Sequence, residues 1–205
     1  MYIPAYSAVT DQEQLVAFMQ AHNFATLVSQ VEGELFATHL PLIITQRNEQ
    51  ILLQGHLAKA NAHWRGWQTH PDVLVIFQGP HAYISPTYYA KQESVPTWNY
   101  AAVHAYGRVQ VTEEAAAKEA ALAALIAQHE ASYQTQWASL PAHFREGMLK
   151  GIVAFAIPVT RLEGKYKLSQ NRPAEDQARI IHGLSAAHDT AISGVAELMQ
   201  AQLAP

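Results

Sequence analysis

The stretch from Gln78 to Arg108 most constrains what this chain can fold into. It holds one tryptophan, five tyrosines, two histidines and three prolines, arranged as two strand-like pieces joined by a polar loop. A hydrophobic core is usually built from Leu, Ile, Val and Phe, whereas these aromatic side chains have polar ends that need partners. The stretch therefore favours two strands that form the wall of a binding site. The alternative interpretation is a barrel hairpin with aromatic packing.

The composition bounds the class of protein. The chain has 205 residues, of which 49% are hydrophobic and 15% charged, and its formal net charge is −4. This length suits a single domain, 1–205, with a helical appendage at about 173–205. The weak negative charge argues against a dominant nucleic-acid-binding face. The absence of cysteine excludes disulfides, thiolate metal sites and a thiol nucleophile.

Hydropathy and histidine spacing narrow the class further. The N-terminus lacks the features of a signal peptide, and no segment approaches 18 uninterrupted apolar residues. We therefore expect a cytoplasmic protein that does not bind membranes. The 11 histidines are scattered, without a pair at helical metal-ligand spacing, so we expect no metal site.

The first part of the chain is predicted to form a helix followed by a run of strands. The residues Thr10 to Glu13 have the pattern of a capping box at a helix start. Phe24 to Val31 and Leu35 to Ile44 read as a hairpin, and a third strand is expected at about Gln50 to Leu57. Because proline cannot donate to a ladder, Pro41 marks an edge, a bulge or a turn of the backbone toward a ligand.

The rest of the chain continues with strands and ends with helices. The predicted strands are Val73 to Gln78, His81 to Ser85, Trp98 to Val111 and Gly151 to Arg161, and Gly79-Pro80 is predicted to be a bend between the first two. The predicted helices are Thr112 to His129, Pro173 to Leu184 and His188 to Leu203. Many antiparallel-type strands with few βαβ units and flanking helices indicate an α+β protein built on a small antiparallel barrel.

Two segments combine basic residues with a predicted helix start. Gly55 to Asn61 leaves a strand and enters residues of helical propensity, where unpaired amides together with His56 and Lys59 would attract an anion. The alternative is a helix whose polar face happens to carry Lys59. Lys165 to Arg172 precedes Pro173 in the same way. Two anion sites and an aromatic wall suit a planar ligand with a phosphate tail.

No catalytic constellation is present in the sequence. Ser85 and Ser169 lack the Gly-x-Ser-x-Gly elbow, and there is no Gly-rich phosphate loop or dinucleotide-binding glycine pattern. The hydrolase, ATPase and Rossmann dehydrogenase classes are therefore excluded, and no catalytic residue is predicted.

Five motifs occur in order along nearly the whole chain. They are Gly55-His56-Leu57-Ala58-Lys59-Ala60-Asn61, Phe77-Gln78-Gly79-Pro80-His81-Ala82-Tyr83-Ile84-Ser85-Pro86, Val95-Pro96-Thr97-Trp98-Asn99-Tyr100, Val103-His104-Ala105-Tyr106-Gly107 and Lys167-Leu168-Ser169-Gln170-Asn171-Arg172. Together they resemble the successive signatures of the PaiB family of FMN-binding negative transcriptional regulators. Lys59 departs mildly from the family, where arginine is expected to be common; lysine keeps the charge but not the bidentate fork.

The resemblance implies a fold, a cofactor and a set of site residues. The fold is an antiparallel split β-barrel of the kind shared with pyridoxamine-phosphate oxidases and flavin reductases, usually a homodimer with FMN near the subunit interface. By that resemblance, the FMN phosphate is expected at His56, Lys59 and Asn61. The flavin ring is expected against Thr38, His39, Leu40 and Pro41, with Trp98, Asn99 and Tyr100 on the opposite wall. Further contacts, from the same or the partner subunit, are expected at Lys167, Gln170, Asn171 and Arg172.

Three functions remain open at this stage. The first, implied by the resemblance, is a regulator that binds FMN without turnover and acts on DNA or on a partner regulator. The second is an FMN-dependent oxidoreductase or flavin reductase that acts on a small substrate. The third is a haem-binding or haem-degrading protein with His39, His56, His81 or His104 as the axial ligand.

Overall fold

The computed structural model describes residues 1–203 and shows an α+β fold. The strands are β1 (Ala8–Val9), β2 (Phe24–Val31), β3 (Glu34–Pro41), β4 (Ile43–Arg47), β5 (Gln50–Ala58), β6 (Asp72–Ile84), β7 (Thr97–Arg108), β8 (Gln110–Thr112) and β9 (Ile152–Lys167). The helices are α1 (Gln12–Ala21), α2 (His63–Gly66), α3 (Ala115–His129), α4 (Tyr133–Ser139), α5 (Ala142–Lys150), α6 (Ala174–Ser185) and α7 (Thr190–Leu203).

The strands form one large antiparallel sheet. Their order is β3-β2-β6-β7-β9-β5-β4, and β1 and β8 also pair with β9. The predicted hairpin is confirmed as β2 and β3, with Phe24 opposite Pro41 and Val31 opposite Glu34. Its second strand, expected at Leu35 to Ile44, ends at Pro41, and Ile43 begins the separate strand β4. The turn of the hairpin needs a left-handed backbone, which Gly33 supplies at a φ of 86°. The α+β class and the antiparallel character expected from the sequence are both confirmed.

The chain divides into two compact units. The first consists of residues 1–18, 78–103 and 163 to the last described residue, and the second of residues 19–77 and 104–162. Fully buried side chains of the first unit include Ile84, Ile180 and Met199, and those of the second include Leu27, Leu53, Phe77 and Ile157. The predicted appendage at about 173–205 corresponds to α6 and α7, apart from its last two residues, which lie outside the described residues.

Three further strand boundaries differ from the sequence-based expectation. The strand β6 runs without interruption through Gly79-Pro80, because the fixed φ of proline is compatible with extended backbone and costs only a ladder hydrogen bond. The strand predicted as Trp98 to Val111 is broken at Val109, whose amide donates instead to Pro71 O at 2.9 Å. The strand β9 extends to Lys167, so the basic residues predicted as a connection lie partly in the sheet.

Two helix starts also differ from the expectation. In α1 the capping group is Asp11 rather than Thr10, since the Gln14 amide donates to Asp11 Oδ1 at 3.0 Å. The Ala-rich helix, expected from Thr112, begins at Ala115, and the side chains of Leu122, Leu125 and Ile126, whose apolar character predicts a buried side, are only half-buried.

The short helix α2 packs closely against β2. A Cβ atom added at Gly66 would lie 2.5 Å from the backbone oxygen of Gln30, a distance that real Cβ atoms do not show. Glycine therefore permits this approach. As a result His63, at the start of α2, is fully buried.

Candidate functional site

The strand β3 carries four of the predicted flavin-facing residues. Thr38 and Pro41 are half-buried, and Leu40 is buried. His39 is exposed, and its Nδ1 lies 2.9 Å from Thr26 Oγ1. Thr38 is therefore the polar side chain of this group that is neither fully buried nor fully exposed.

The loop after β5 uses several backbone amides within the protein. The Lys59 amide donates to Gly151 O at 2.7 Å, the Asn61 amide to Ala58 O at 2.9 Å, and the His63 amide to Asn61 Oδ1 at 2.9 Å. The helix that follows has only four residues. These three amides are therefore already used within the protein, and Lys59 and Asn61 add side-chain donors at this loop.

Lys59 and His56 are the basic side chains of this part of the second unit that the sequence singled out. Lys59 Nζ lies 2.5 Å from Glu113 Oε2, and both side chains are about half exposed, at 46% and 49%. The hydrogen bond from Lys59, and then its charge, lower the pKa of Glu113. Burial lowers the pKa of His56, so at pH 7 its ring is a neutral donor. An anion that reaches Lys59 must share its ammonium with Glu113 or displace the carboxylate.

A buried histidine that the sequence did not single out lies beside Thr38. His63 Nε2 is 2.7 Å from Ser29 Oγ, and its Nδ1 is 2.8 Å from Thr38 Oγ1. Trp67 Nε1 donates to Ser29 Oγ at 3.0 Å, and Asn61 Nδ2 donates to Thr38 Oγ1 at 3.3 Å. We call these five residues the His63 network.

The His63 network is rigidly packed and uncharged. The ring of His63 contacts those of Phe36 and Trp67, with centroids 4.9 and 5.1 Å apart. Burial lowers the pKa of His63 to about 4, so the ring is neutral at pH 7. The network connects the interior of the second unit to two half-exposed donors, Thr38 and Asn61.

In the first unit, Trp98 belongs to an exposed group of aromatic rings. Its indole ring is stacked beside His81 and edge-to-face with Tyr83, each with centroids 6.2 Å apart. Trp98 is 53% exposed and Tyr83 is 50% exposed. These two positions therefore match the site-wall interpretation of this stretch better than the alternative of internal aromatic packing.

Replacing Trp98 by alanine tests that interpretation. Because the side chain is half exposed, Trp98→Ala should lower the free energy of unfolding by less than about 1 kcal/mol, measured by urea denaturation. If Trp98 faces the flavin, the same variant should quench the fluorescence of added FMN less than the wild type, and Trp98→Phe should fall between the two. A large loss of stability with unchanged quenching would instead make Trp98 a structural residue.

Asn99 and Gln170 use their polar ends within the first unit. Asn99 is fully buried, and its Nδ2 and Oδ1 lie 2.9 and 3.1 Å from Ser169 Oγ. Gln170 accepts from the Leu168 amide at 2.8 Å and donates to the backbone oxygen of Tyr166. Ser169 has a φ of 61°, so these contacts hold a turn that few residues adopt.

A cavity of about 150 Å³ in the first unit brings together several of the predicted residues. Asn99, Lys167, Asn171 and Arg172 line it, and none of its described lining residues carries a carboxylate. Lys167 Nζ donates to the hydroxyl of Thr97 and to Trp98 O. The cavity thus has cationic and amide donors without a counter-ion among its lining residues.

Three cations, Lys165, Lys167 and Arg172, form a cationic cluster held by neutral groups in this unit. Lys165 is buried, and its Nζ donates to Tyr2 O at 3.0 Å and lies 5.2 Å from the centroid of the Tyr100 ring. Arg172 lies 4.0 Å above the ring of Tyr89. Burial, and then the charge of Lys165, lower the pKa of Lys167. Like charges in contact with rings and neutral oxygens attract an anion.

The start of α6 does not add to this attraction. Glu175 and Asp176 lie in its first turn, and Asp176 Oδ1 accepts from the Ala90 amide at 2.8 Å. Two carboxylates therefore lie at this helix N-terminus, and the anion site predicted there stays a prediction.

The described residues contain no group of three or more His, Asp or Glu side chains placed to hold a metal ion. Within the same residues, no helix is both long and apolar enough to cross a membrane.

This antiparallel fold is a split β-barrel, and two solved structures share it. The flavocytochrome Anf3 from Azotobacter vinelandii matches it with a TM-score of 0.62 at 16% identity, over 86% of this chain and 78% of that chain. The FAD and heme binding protein from Mycobacterium smegmatis matches with a TM-score of 0.60 at 13% identity, over 84% of this chain and 78% of that chain. These likenesses establish the fold.

The family follows from the sequence comparison. The family model described as "Putative FMN-binding domain" matches residues 1–161, and the chain belongs to this family. The Bacillus subtilis (strain 168) protein named "Protease synthase and sporulation protein PAI 2" is 40% identical over 205 residues, covering 99% of this chain and 98% of that protein. The PaiB resemblance and the expectation of FMN as cofactor are confirmed.

The residues present fit an FMN molecule chemically. A phosphate needs cationic and neutral donors, which Lys59 and Asn61 supply in the second unit. A flavin ring offers several acceptor atoms, and the hydroxyl of Thr38 is a half-exposed polar group beside Asn61. The family therefore agrees with the donor set of the chain itself.

Proposed function

We propose that this chain is an FMN-binding regulatory protein. His56, Lys59 and Asn61 hold the FMN phosphate, and the flavin ring lies along β3 from Thr38 to Pro41. The observation that supports this most directly is the pairing of Asn61 with Thr38 beside the loop that carries the exposed ammonium of Lys59. When bound, FMN supplies electron-accepting ring chemistry, while the protein binds and orients it.

The residues of the first unit form a second candidate set of FMN contacts. Trp98 and Tyr100 offer ring surfaces, and Lys167, Asn171 and Arg172 offer donors around the 150 Å³ cavity. Asn99 and Gln170 act by holding the turn at Ser169 that presents these donors. The variants Trp98→Ala and Trp98→Phe test this set separately from the residues around Lys59.

The first experiment is a comparison of two flavins. Purified protein should be yellow or should take up FMN in a fluorescence titration, with a dissociation constant at least about tenfold lower for FMN than for riboflavin, since only FMN carries the phosphate. Colourless protein that takes up neither flavin at micromolar concentration contradicts the proposal. Equal affinity for the two flavins contradicts only the phosphate site and leaves the rest of the proposal in place.

The regulatory part of the proposal is supported by the relative named for protease synthesis and sporulation. We propose that the chain acts in the cytoplasm as a homodimer, on DNA or on a partner regulator. The net charge of −4 means that direct DNA binding requires a local basic surface. Gel-shift titration against its own upstream region, at two salt concentrations, tests DNA binding, and light scattering tests the dimer.

Glu113 is expected to compete with the phosphate for Lys59. Glu113→Gln should lower the dissociation constant for FMN by about threefold at low ionic strength, a modest effect because exposed ion pairs are weak. The pKa of Glu113 is lowered, so the competition persists at pH 7 and fades only as the pH falls through that lowered pKa.

The matched control is the neighbouring acid. Glu114→Gln makes the same charge change one residue away, outside the contact with Lys59, and should leave the dissociation constant nearly unchanged. A Glu113→Gln variant that binds FMN no better than Glu114→Gln would show that Glu113 does not compete.

A further inference from the structure

The His63 network contains two hydroxyl groups whose hydrogen-bond directions can be worked out from their neighbours. His63 lies between Ser29 and Thr38, and in a neutral ring one nitrogen donates while the other accepts. Which nitrogen carries the hydrogen decides whether Thr38 donates into the network or outward. The neighbours of the two hydroxyls settle this.

The first constraint comes from Asn61. Its Oδ1 accepts from the His63 amide at 2.9 Å, so its amide group cannot be turned over without opposing two donors. Its Nδ2 therefore faces Thr38 Oγ1 at 3.3 Å and donates to it. One lone pair of the Thr38 oxygen is thereby occupied.

The second constraint comes from Trp67. An indole nitrogen can only donate, so Ser29 Oγ accepts from Trp67 Nε1 at 3.0 Å. Ser29 is only 5% exposed, and its own hydroxyl hydrogen needs an acceptor. His63 Nε2, at 2.7 Å, is in position to be that acceptor.

The ring hydrogen of His63 is therefore placed on Nδ1, which donates to Thr38 Oγ1 at 2.8 Å. The opposite tautomer would have Ser29 accept twice and would leave its buried hydrogen without a partner, which is the costly outcome. In the favoured arrangement, Thr38 accepts from both His63 and Asn61. Its own hydrogen is the one left to point out of the network, and Thr38 is half-buried rather than buried.

We propose that buried His63 is a positioning residue, which by donating from Nδ1 makes the Thr38 hydroxyl a hydrogen-bond donor to an acceptor atom of bound FMN. The ligand part of this inference rests on the proposed function. A Thr38 hydroxyl that donates favours a ligand with an oxygen or nitrogen acceptor atom beside Thr38 Oγ1. A ligand group that can only donate is disfavoured there, because Thr38 Oγ1 already accepts two hydrogen bonds.

The tautomer can be measured without any ligand. In protein labelled with ¹⁵N, a long-range ¹H–¹⁵N correlation spectrum at pH 7 should show His63 with Nδ1 protonated and Nε2 unprotonated, which is the less common form of a free imidazole. The His63→Gln spectrum assigns the signal, or side-chain-to-backbone correlations do so if that variant does not fold. A His63 ring protonated on Nε2 overturns the inference, whatever the protein binds.

The donor role of Thr38 is measured with FMN as the probe. Thr38→Val keeps the shape but removes the hydroxyl, and should raise the dissociation constant for FMN about three- to tenfold. Thr38→Ser keeps the hydroxyl and should change it by less than about twofold. If the wild type binds FMN and Thr38→Val binds it equally well, the inference is overturned while the proposed function stands. A wild type that takes up no FMN overturns the proposed function together with the ligand assigned to Thr38.

Discussion

A Lys59→Glu variant should lose most of its affinity for FMN and almost none for riboflavin. In the proposed site, the substitution would remove a charge-assisted hydrogen bond to the phosphate, and it places a second carboxylate beside Glu113, which lies 2.5 Å from the native ammonium. Together these effects should raise the dissociation constant for FMN about 100-fold. Fluorescence titrations with the two flavins measure the loss and show whether it is confined to the phosphate.

Arg47→Glu is the matched control for that variant. It makes the same change in net charge in the same unit, at the turn between β4 and β5, whereas Lys59 follows the far end of β5. The strand β5 has nine residues, so its two ends are eight residue steps apart, or about 26 Å at about 3.3 Å per residue. An equal loss in both variants would indicate a general effect of charge, and no loss in Lys59→Glu would remove Lys59 from the site.

The stability of the protein should fall as the pH drops from 7 to 5, in part through His63. Burial lowers the folded-state pKa of His63 to about 4, below its unfolded value, so the unfolded chain takes up the proton first. The contribution is complete above about pH 6.5 and is lost as the pH falls toward 4. By pH 5 it should amount to a loss of about 2 kcal/mol in the free energy of unfolding.

Urea denaturation at several pH values, on two variants, isolates this contribution. His63→Gln removes the titrating ring, so its free energy of unfolding should fall less steeply between pH 7 and 5, even though the variant is less stable at pH 7. His143→Gln replaces an exposed histidine and should keep the wild-type slope. If His63→Gln and the wild type have equal slopes, the buried ring is not the group that titrates.

The fold could be predicted from the sequence largely because local patterns are strong in the first half. The alternating run from Phe24 to Val31 and the turn before Glu34 define the first strand and the turn of the hairpin, whereas its second strand ends at Pro41, earlier than the predicted Ile44. The strand boundaries in the second half depended on tertiary contacts. The end of β7 is fixed when the Val109 amide bonds to Pro71 O, a partner far away in sequence.

The candidate site divides in a similar way. The family resemblance marks Lys59, Asn61 and Thr38 as site residues, and the structure brings Asn61 and Thr38 into contact. Their role in holding FMN stays a prediction. His63 was not predictable, because its partners Ser29 and Thr38 lie 34 and 25 residues away and meet it only when α2 docks on the hairpin. A histidine one residue from a tryptophan carries no local signal for such a network.

The two segments predicted as anion sites show why local rules alone misplace the start of a helix. The residues after Gly55 have helical propensity, but the strand continues to Ala58 and several loop amides find partners. Before α6, acidic residues occupy the first turn. In both places the positive character lies in the side chains.

The close contact of α2 with β2 has a consequence for the evolution of related chains. No side chain larger than hydrogen fits between Gly66 and the backbone at Gln30, so a lineage that replaces this glycine must move α2. Such a move would carry the buried imidazole of His63 away from Ser29 and Thr38. Glycine at this position is therefore a marker that can be read from sequence alone. Homologues that retain it can keep the packing of α2 against β2, and those that have lost it are expected to have a rearranged His63 network.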